Sequence, residues 1–341
     1  MNGHERISAA LRGDWPDKVP VMLHNFQMAV REQGITMEQF RRDPHALAGA
    51  FIAAVERYGY DGVLVDVDTA TLAEAAGVPV DCPDDHPARV RGALLKDLRN
   101  VHDLRPVDLQ SSPRIQVWLE GTRLLKQHFG SEIFVRGNCD QCPFTLAALI
   151  RGMDAWMMDL LDPGAEAGIR ALLDYCTGIT TQFITLMVST GADMVSNGDS
   201  AAGSDVISPA LYRQFAAPYE QRVVAVAHQH HLPYALHICG NTDPILESML
   251  GTGADALELD YKTDAARAHE RMHHRTTFIG NIDPSGVLAR GTPQDVAASV
   301  RALLQVFADT PRFVLNAGCA IPPETPSANL QMLMNTARGF R

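Results

Sequence analysis

The chain has 341 residues, enough for one large or two ordinary domains, and its 46% hydrophobic and 20% charged content is that of an enzyme with a full core. Its formal net charge of -11 excludes a broad surface for nucleic acid or anionic membrane, although a local arginine can still hold a small anion. No stretch approaches the roughly 20 apolar residues of a membrane span. The polar opening MNGHERISAALRGDWPDKVP reads as a helix rather than a secretory signal, so a cytoplasmic setting is expected. There the six cysteines, at 82, 139, 142, 176, 239 and 319, are expected to be free or metal-bound rather than disulfide-linked.

Eight short apolar runs, each ended by polar residues, follow in chain order. They are VPVML (19–23), GVLVDV (62–67), EIFVRG (132–137), ADMVSN (192–197), PYALHI (233–238), DALELD (255–260), TTFIGN (276–281) and RFVLNA (312–317). Stretches of helical period separate most of them, among them PHALAGAFIAAVERYG, LAALIRGMDAWMMDLLD and TPQDVAASVRALLQVFAD. Eight strand–helix alternations in one chain of this length predict an α/β fold, a (β/α)8 TIM barrel made by residues 1–341 as one domain. The competing arrangement is an open doubly wound sheet, but no GxGxxG follows the first strand. Roughly residues 70–130 are too long for one crossover. They read as an insertion after strand two, holding a short hairpin at DCPDDHP and the helix IQVWLEGTRLLKQHFG.

In such a barrel, chemistry belongs at the C-terminal ends of the strands. Those ends carry His24 and Asn25, Asp66 and Asp68, Arg136 and Asn138, Asn197 and Asp199, His237 and Cys239, Glu258 and Asp260, Asn281 and Asp283, and Asn316 with Cys319 just beyond. In PYALHICG, side-chain alternation puts His237 and Cys239 on one side of the strand. Cys319 lies at the mouth of strand eight, in the loop NAGCAIPPETP, facing the same central cavity. One imidazole and two thiolates make a three-ligand zinc site with a fourth position open, the mark of a catalytic rather than a structural zinc. Two thiolates make the metal a poor activator of water and a good holder of a substrate thiol, which predicts alkyl transfer to sulfur rather than hydrolysis. The rival metal set is the CxxC of Cys139 and Cys142; Cys82 and Cys176 read as structural, and His228, His230 and His231 as surface residues at a helix end.

The chain also resembles the uroporphyrinogen decarboxylase superfamily over nearly its full length. The matching stretches include VPVMLHNF, YGYDGVLVDVD, NCDQCPFTLAALIRGMDAWMMDLLDPG, GADMVSNGDSAAGSDVISPALYRQFAAPY, LHICGNTDPILESMLGTGADALELD and FIGNIDPSGVLARGTP. HICG with the late NAGCAIPPETP is similar to the zinc branch, the methylcobamide:coenzyme M methyltransferase-like proteins. That resemblance implies a (β/α)8 barrel, zinc on His237, Cys239 and Cys319, and methyl transfer between a methyl-cobalt corrinoid and a small thiol. It implies a corrinoid (methylcobalamin) arriving free or on a partner corrinoid protein, since the chain has no DxHxxG motif of its own. Barrels of this family often pair, so a homodimer is compatible with the resemblance; no nucleic-acid or membrane partner is implied. Asp199 and Glu258 are the expected carboxylates for orienting ligands or taking the thiol proton, with Asp66 and Asp68 as alternates, and Asn197, Tyr234 and Asn281 the expected pocket lining. The arginine-rich motif that follows strand one in the decarboxylase branch is replaced here by VMLHNFQMAV, which argues against porphyrinogen decarboxylation. Three rivals stay open: a metal-free lyase, a demethylase that loads a corrinoid from a methoxy- or methylamine-type donor, and a corrinoid- or tetrapyrrole-binding accessory protein.

Overall fold

Eight parallel strands hydrogen-bond in chain order, and the last returns to the first. They are β1 (Met22–Leu23), β2 (Gly62–Val65), β3 (Phe134–Gln141), β4 (Met194–Gly198), β5 (Tyr234–Ile238), β6 (Ala256–Leu259), β7 (Thr277–Ile282) and β8 (Phe313–Ala317). Closure is made by the parallel bridge between Val21 and Leu315 and by the Leu315 amide, which donates to the Pro20 carbonyl at 2.9 Å. The expected (β/α)8 barrel is therefore the observed fold, and the open-sheet alternative is excluded by this seam. The molecule is described by a computed structural model covering residues 1–340.

Each strand is buried on both faces, which is why it reads as a short apolar run. Inward positions follow the period of two. Met22, Phe134, Met194, Ala235, Ala256, Ile279 and Val314 form one apolar layer inside the barrel. The N-terminal helix Gly3–Arg12 plugs the barrel's lower end by adding Ile7 and Ala10 to that layer. Its start is fixed by a capping box in which the Asn2 side chain accepts from the Glu5 amide.

Between β2 and β3 lie the helix Thr71–Ala75, a two-stranded antiparallel hairpin (Val80–Asp81 with Arg89–Val90) and the helix Pro113–Phe129. Trp118 anchors that last helix on the barrel, fully buried, with its indole N–H donating to the Val65 carbonyl at 3.0 Å. The hairpin tip is tied down on the helix Met37–Arg42, where the Met37 amide donates to Asp84 and Arg41 donates to the carbonyls of Pro83 and His86. By length and composition Pro163–Val188 could cross a membrane, contrary to the sequence expectation, but its helix Glu166–Val188 packs on β3, β4 and neighbouring barrel helices.

Candidate metal centre

One position above the apolar layer, the inward side chains turn polar. His24, Arg136, His237, Glu258 and Asn316 follow Met22, Phe134, Ala235, Ala256 and Val314 at the next inward step, and Asp66 joins them from the end of β2. His24, Asp66, Arg136, His237 and Glu258, together with Cys239 and Cys319, line a cavity of about 140 Å³ at the C-terminal mouth of the barrel.

His237, Cys239 and Cys319 converge there, their donor atoms all within 4.8 Å of one another. His237 Nε2 lies 3.2 Å from Cys239 Sγ, and the two sulfurs are 3.8 Å apart. Two sulfurs around a tetrahedral zinc at about 2.3 Å would stand about 3.8 Å apart, so the pair is spaced for a shared metal. His237 Nδ1–H donates to the backbone carbonyl of Glu258 at 2.9 Å, which fixes the ring and turns Nε2 toward the sulfurs. The Ser200 hydroxyl donates to Cys239 Sγ at 3.1 Å.

The electrostatics favour anionic sulfur. The hydrogen bond from Cys319 does most to hold the Cys239 thiol down, at about 3; burial opposes it, while His237 and Ser200 help. Cys319 is the partner that keeps the proton, pushed well up by the bond it donates to Cys239 and by burial. Burial disfavours the His237 imidazolium, yet the Cys239 thiolate and Glu258 outweigh it and push its pKa up to about 10. The chemistry of the donor set, one imidazole, one thiol already held as thiolate and a second that a metal would ionise, fits a soft or borderline divalent cation.

The loop that carries Cys319 is held by backbone contacts. The Ile321 amide donates to the His24 carbonyl at 2.8 Å, and Gly318 lies so close to Asp260 and Tyr261 that a Cβ would meet their backbone. Gly318→Ala is therefore expected to displace Cys319 and weaken metal binding by about 10–100-fold, measured by competition against a chelator.

Glu258 is fully buried. Arg136 pairs with its Oε2 at 2.5 Å and Asn316 Nδ2 donates to its Oε1 at 3.0 Å. Burial alone would raise this carboxyl, but Arg136, His237 and His24 hold it below the usual carboxylate range, so it is a fixed negative charge rather than a proton acceptor.

The other expected residues lie outside the cavity. Tyr234 and Asn197 are on the alternate face of their strands: the Tyr234 hydroxyl donates to Asn197 Oδ1 at 3.0 Å, and Asn197 Nδ2 donates to the Cys139 carbonyl. Asn281 spends its amide on the carbonyls of Asp260 and Thr263, both at 3.1 Å. Asp199 sits behind the wall, where its Oδ1 accepts from the amide and hydroxyl of Thr145 at 2.7 and 2.6 Å. Cys139 and Cys142 are fully buried, burial pushes both thiols well up, and they join no metal-binding group among the described residues. Sequence reasoning placed His24, Arg136 and Asn316 only as strand-end residues. Their shared inward parity with His237 was the available signal that they belong to the site.

Asp199 faces Glu220, which is also fully buried and accepts from the Tyr212 hydroxyl at 2.5 Å. Burial raises both carboxyls, Asp199 to about 6 and Glu220 well above its ordinary value, and the pair holds a proton between them. A raised carboxyl pKa means that the folded chain binds more protons than the unfolded chain, so the contribution of Asp199 to stability is lost as pH rises from about 4 through 6. Asp199→Asn removes that loss. Its stability relative to wild type is expected to climb with pH in this window by up to about 1.4 kcal/mol per unit, measured by urea unfolding at stepped pH.

Comparison with known proteins gives a consistent family. A family model described as uroporphyrinogen decarboxylase (URO-D) matches residues 2–340. Methylcobamide:CoM methyltransferase MtbA of Methanosarcina mazei is 31% identical over 99% of this chain and 98% of the relative. Uroporphyrinogen decarboxylase of a Synechococcus species is 30% identical over 80% of this chain and 77% of the relative. A solved structure, a methyltransferase from Methanosarcina mazei, superposes with a TM-score of 0.88 at 26% identity, covering 99% of this chain and 98% of that one.

Proposed function

The chain belongs to the uroporphyrinogen decarboxylase family, and within it we propose that it is a zinc-dependent, corrinoid-linked methyltransferase that moves a methyl group between a methyl-cobalt corrinoid and a small thiol. The observation that carries this reading is the convergence of His237, Cys239 and Cys319 at the barrel mouth. The full-length likeness to methylcobamide:CoM methyltransferases supports the same chemistry.

His237 Nε2 and the sulfurs of Cys239 and Cys319 would hold the zinc. When bound, zinc supplies the positive charge that keeps a substrate thiol ionised at neutral pH. Ser200 and the Glu258 carbonyl orient two of the donors, and the buried Arg136–Glu258 pair leaves the floor beneath them without net charge. Phe26, Leu64 and Pro87 give the cavity an apolar wall that limits water around the sulfur. The cavity is smaller than the roughly 300–1,000 Å³ typical of drug-sized ligands. A small thiol suits it, whereas the corrinoid would present its methyl group from outside, free or on a partner corrinoid protein. The thiolate held there would attack the methyl carbon, so that a carbon–sulfur bond forms as the cobalt–carbon bond breaks and the corrinoid keeps that bond's electron pair.

Porphyrinogen decarboxylation is less well served. Arg136 is the one arginine or lysine lining the cavity among the described residues, it is already paired with Glu258, and Asp66 and Asp68 line the same cavity. The whole chain acts in this proposal as one barrel domain, and its six free cysteines suit a cytoplasmic setting. The test is to incubate the chain with methylcobalamin and a small thiol, following loss of the methyl-cobalt absorbance and appearance of the thioether. Thioether formation at a rate proportional to enzyme supports the reading; no turnover with any small thiol overturns it.

A further inference from the structure

We infer that His24, held by Asp66, is the base that takes the proton from the substrate thiol; the inference rests on the thiol-methylation reading. His24 is 8% exposed and lines the same cavity as the three donor residues. Its Nε2–H donates to Asp66 Oδ2 at 2.7 Å. Asp66 is itself fixed, since its Oδ1 accepts from Asn138 Nδ2 and from the Val67 amide, both at 2.9 Å. The ring stacks on Phe26 with centroids 5.6 Å apart, and the His24 amide donates to Asn316 Oδ1 at 3.1 Å. Every part of the residue is therefore positioned except Nδ1, which is buried and has no hydrogen-bond partner. A buried polar atom without a partner is costly, and a proton delivered from a thiol in the adjoining cavity would satisfy it.

Glu258 Oε1 lies 4.0 Å from Nδ1, so an imidazolium at His24 would sit between two carboxylates, Asp66 and Glu258. An oriented imidazole with a carboxylate on its far nitrogen is the arrangement of a general base. The step balances simply. The thiol S–H bond breaks, its proton goes to Nδ1 and its electron pair stays on sulfur. Sulfur then takes the methyl group, cobalt keeps the methyl–cobalt electron pair, and the proton leaves His24 for solvent through the open mouth. Of the carboxylates expected to take this proton, Asp199 is outside the cavity and Glu258 is held ionised by Arg136. His24 is a catalytic residue in this account, and Asp66 a positioning residue that fixes its tautomer.

The test uses two thiols of nearly equal size, ethanethiol and 2,2,2-trifluoroethanethiol, with methylcobalamin at mildly alkaline pH, where the fluorinated thiol is already mostly ionised. For His24→Asn the expected loss in kcat/KM is about 10²–10⁴-fold with ethanethiol and below about tenfold with the trifluoro analogue, at unchanged metal content. Asp66→Asn should show the same dependence on thiol acidity with smaller losses, and added imidazole should restore His24→Gly with ethanethiol alone. Equal losses with both thiols in both variants, or no loss in either, overturns the role of His24. A wild-type chain that methylates neither thiol instead overturns the thiol-methylation reading, and this inference with it.

Discussion

Cys239→Ala is expected to lower methyl transfer to a thiol by at least about a thousandfold while leaving the barrel folded. Cys239 sits past the end of β5 at the cavity, and its sulfur meets His237, Cys319 and Ser200 rather than the apolar core. Its removal takes away the charge around which the donor set is arranged. A metal contributes several kcal/mol to a reaction of this kind, and each 1.36 kcal/mol is a factor of ten in rate. Ser200→Ala removes one hydrogen bond to the same sulfur and is expected to cost only about tenfold. The measurement is kcat/KM with methylcobalamin and a small thiol, beside urea unfolding of each variant. A Cys239→Ala chain that keeps a tenth of wild-type activity would place the sulfur outside the machinery.

Arg136→Met is expected to have the largest effect on stability, a loss of about 3–5 kcal/mol. The pair is 1% exposed on both sides, and Arg136 is the cation that lets Glu258 stay ionised without water. Removing one partner leaves the other buried and uncompensated, which costs more than the pair contributes. The double variant Arg136→Met with Glu258→Gln removes both charges and should recover much of the loss. The pH dependence has a definite sign. Glu258 is held below its ordinary value, so its contribution is present at neutral pH and fades as pH falls below about 4. The gap between wild type and Arg136→Met should therefore narrow in acid. Equilibrium unfolding in urea at neutral and acid pH measures both effects, and a gap below about 1 kcal/mol at neutral pH would contradict them.

The barrel was legible because parallel strands buried on both faces must be apolar throughout, and a buried strand that reaches a functional mouth must end in polar groups. RFVLNA and PYALHI show this directly as β8 and β5. VPVML is the weakest case, with only Met22–Leu23 as strand and Val21 as a single bridge, because this run closes the seam. The convergence of His237, Cys239 and Cys319 was legible from alternation within one strand and from closure across the rim. Asn197 and Tyr234 were drawn toward the cavity by their polarity, whereas the period of two turns them to the helix side, where they bond each other. Asn281 had the inward parity, but neighbouring carbonyls of Asp260 and Thr263 claim its amide. The Arg136–Glu258 and His24–Asp66 pairs involve runs far apart in the chain, and only the closed three-dimensional barrel says which polar ends meet.

Zinc content of the purified wild-type chain, compared with Cys239→Ala and Cys319→Ala prepared in parallel, tests the central claim most directly. The account predicts about one zinc per wild-type chain and loss of that zinc from both variants. Wild-type protein that stays metal-free after preparation with zinc and without chelator, yet is folded, would contradict it.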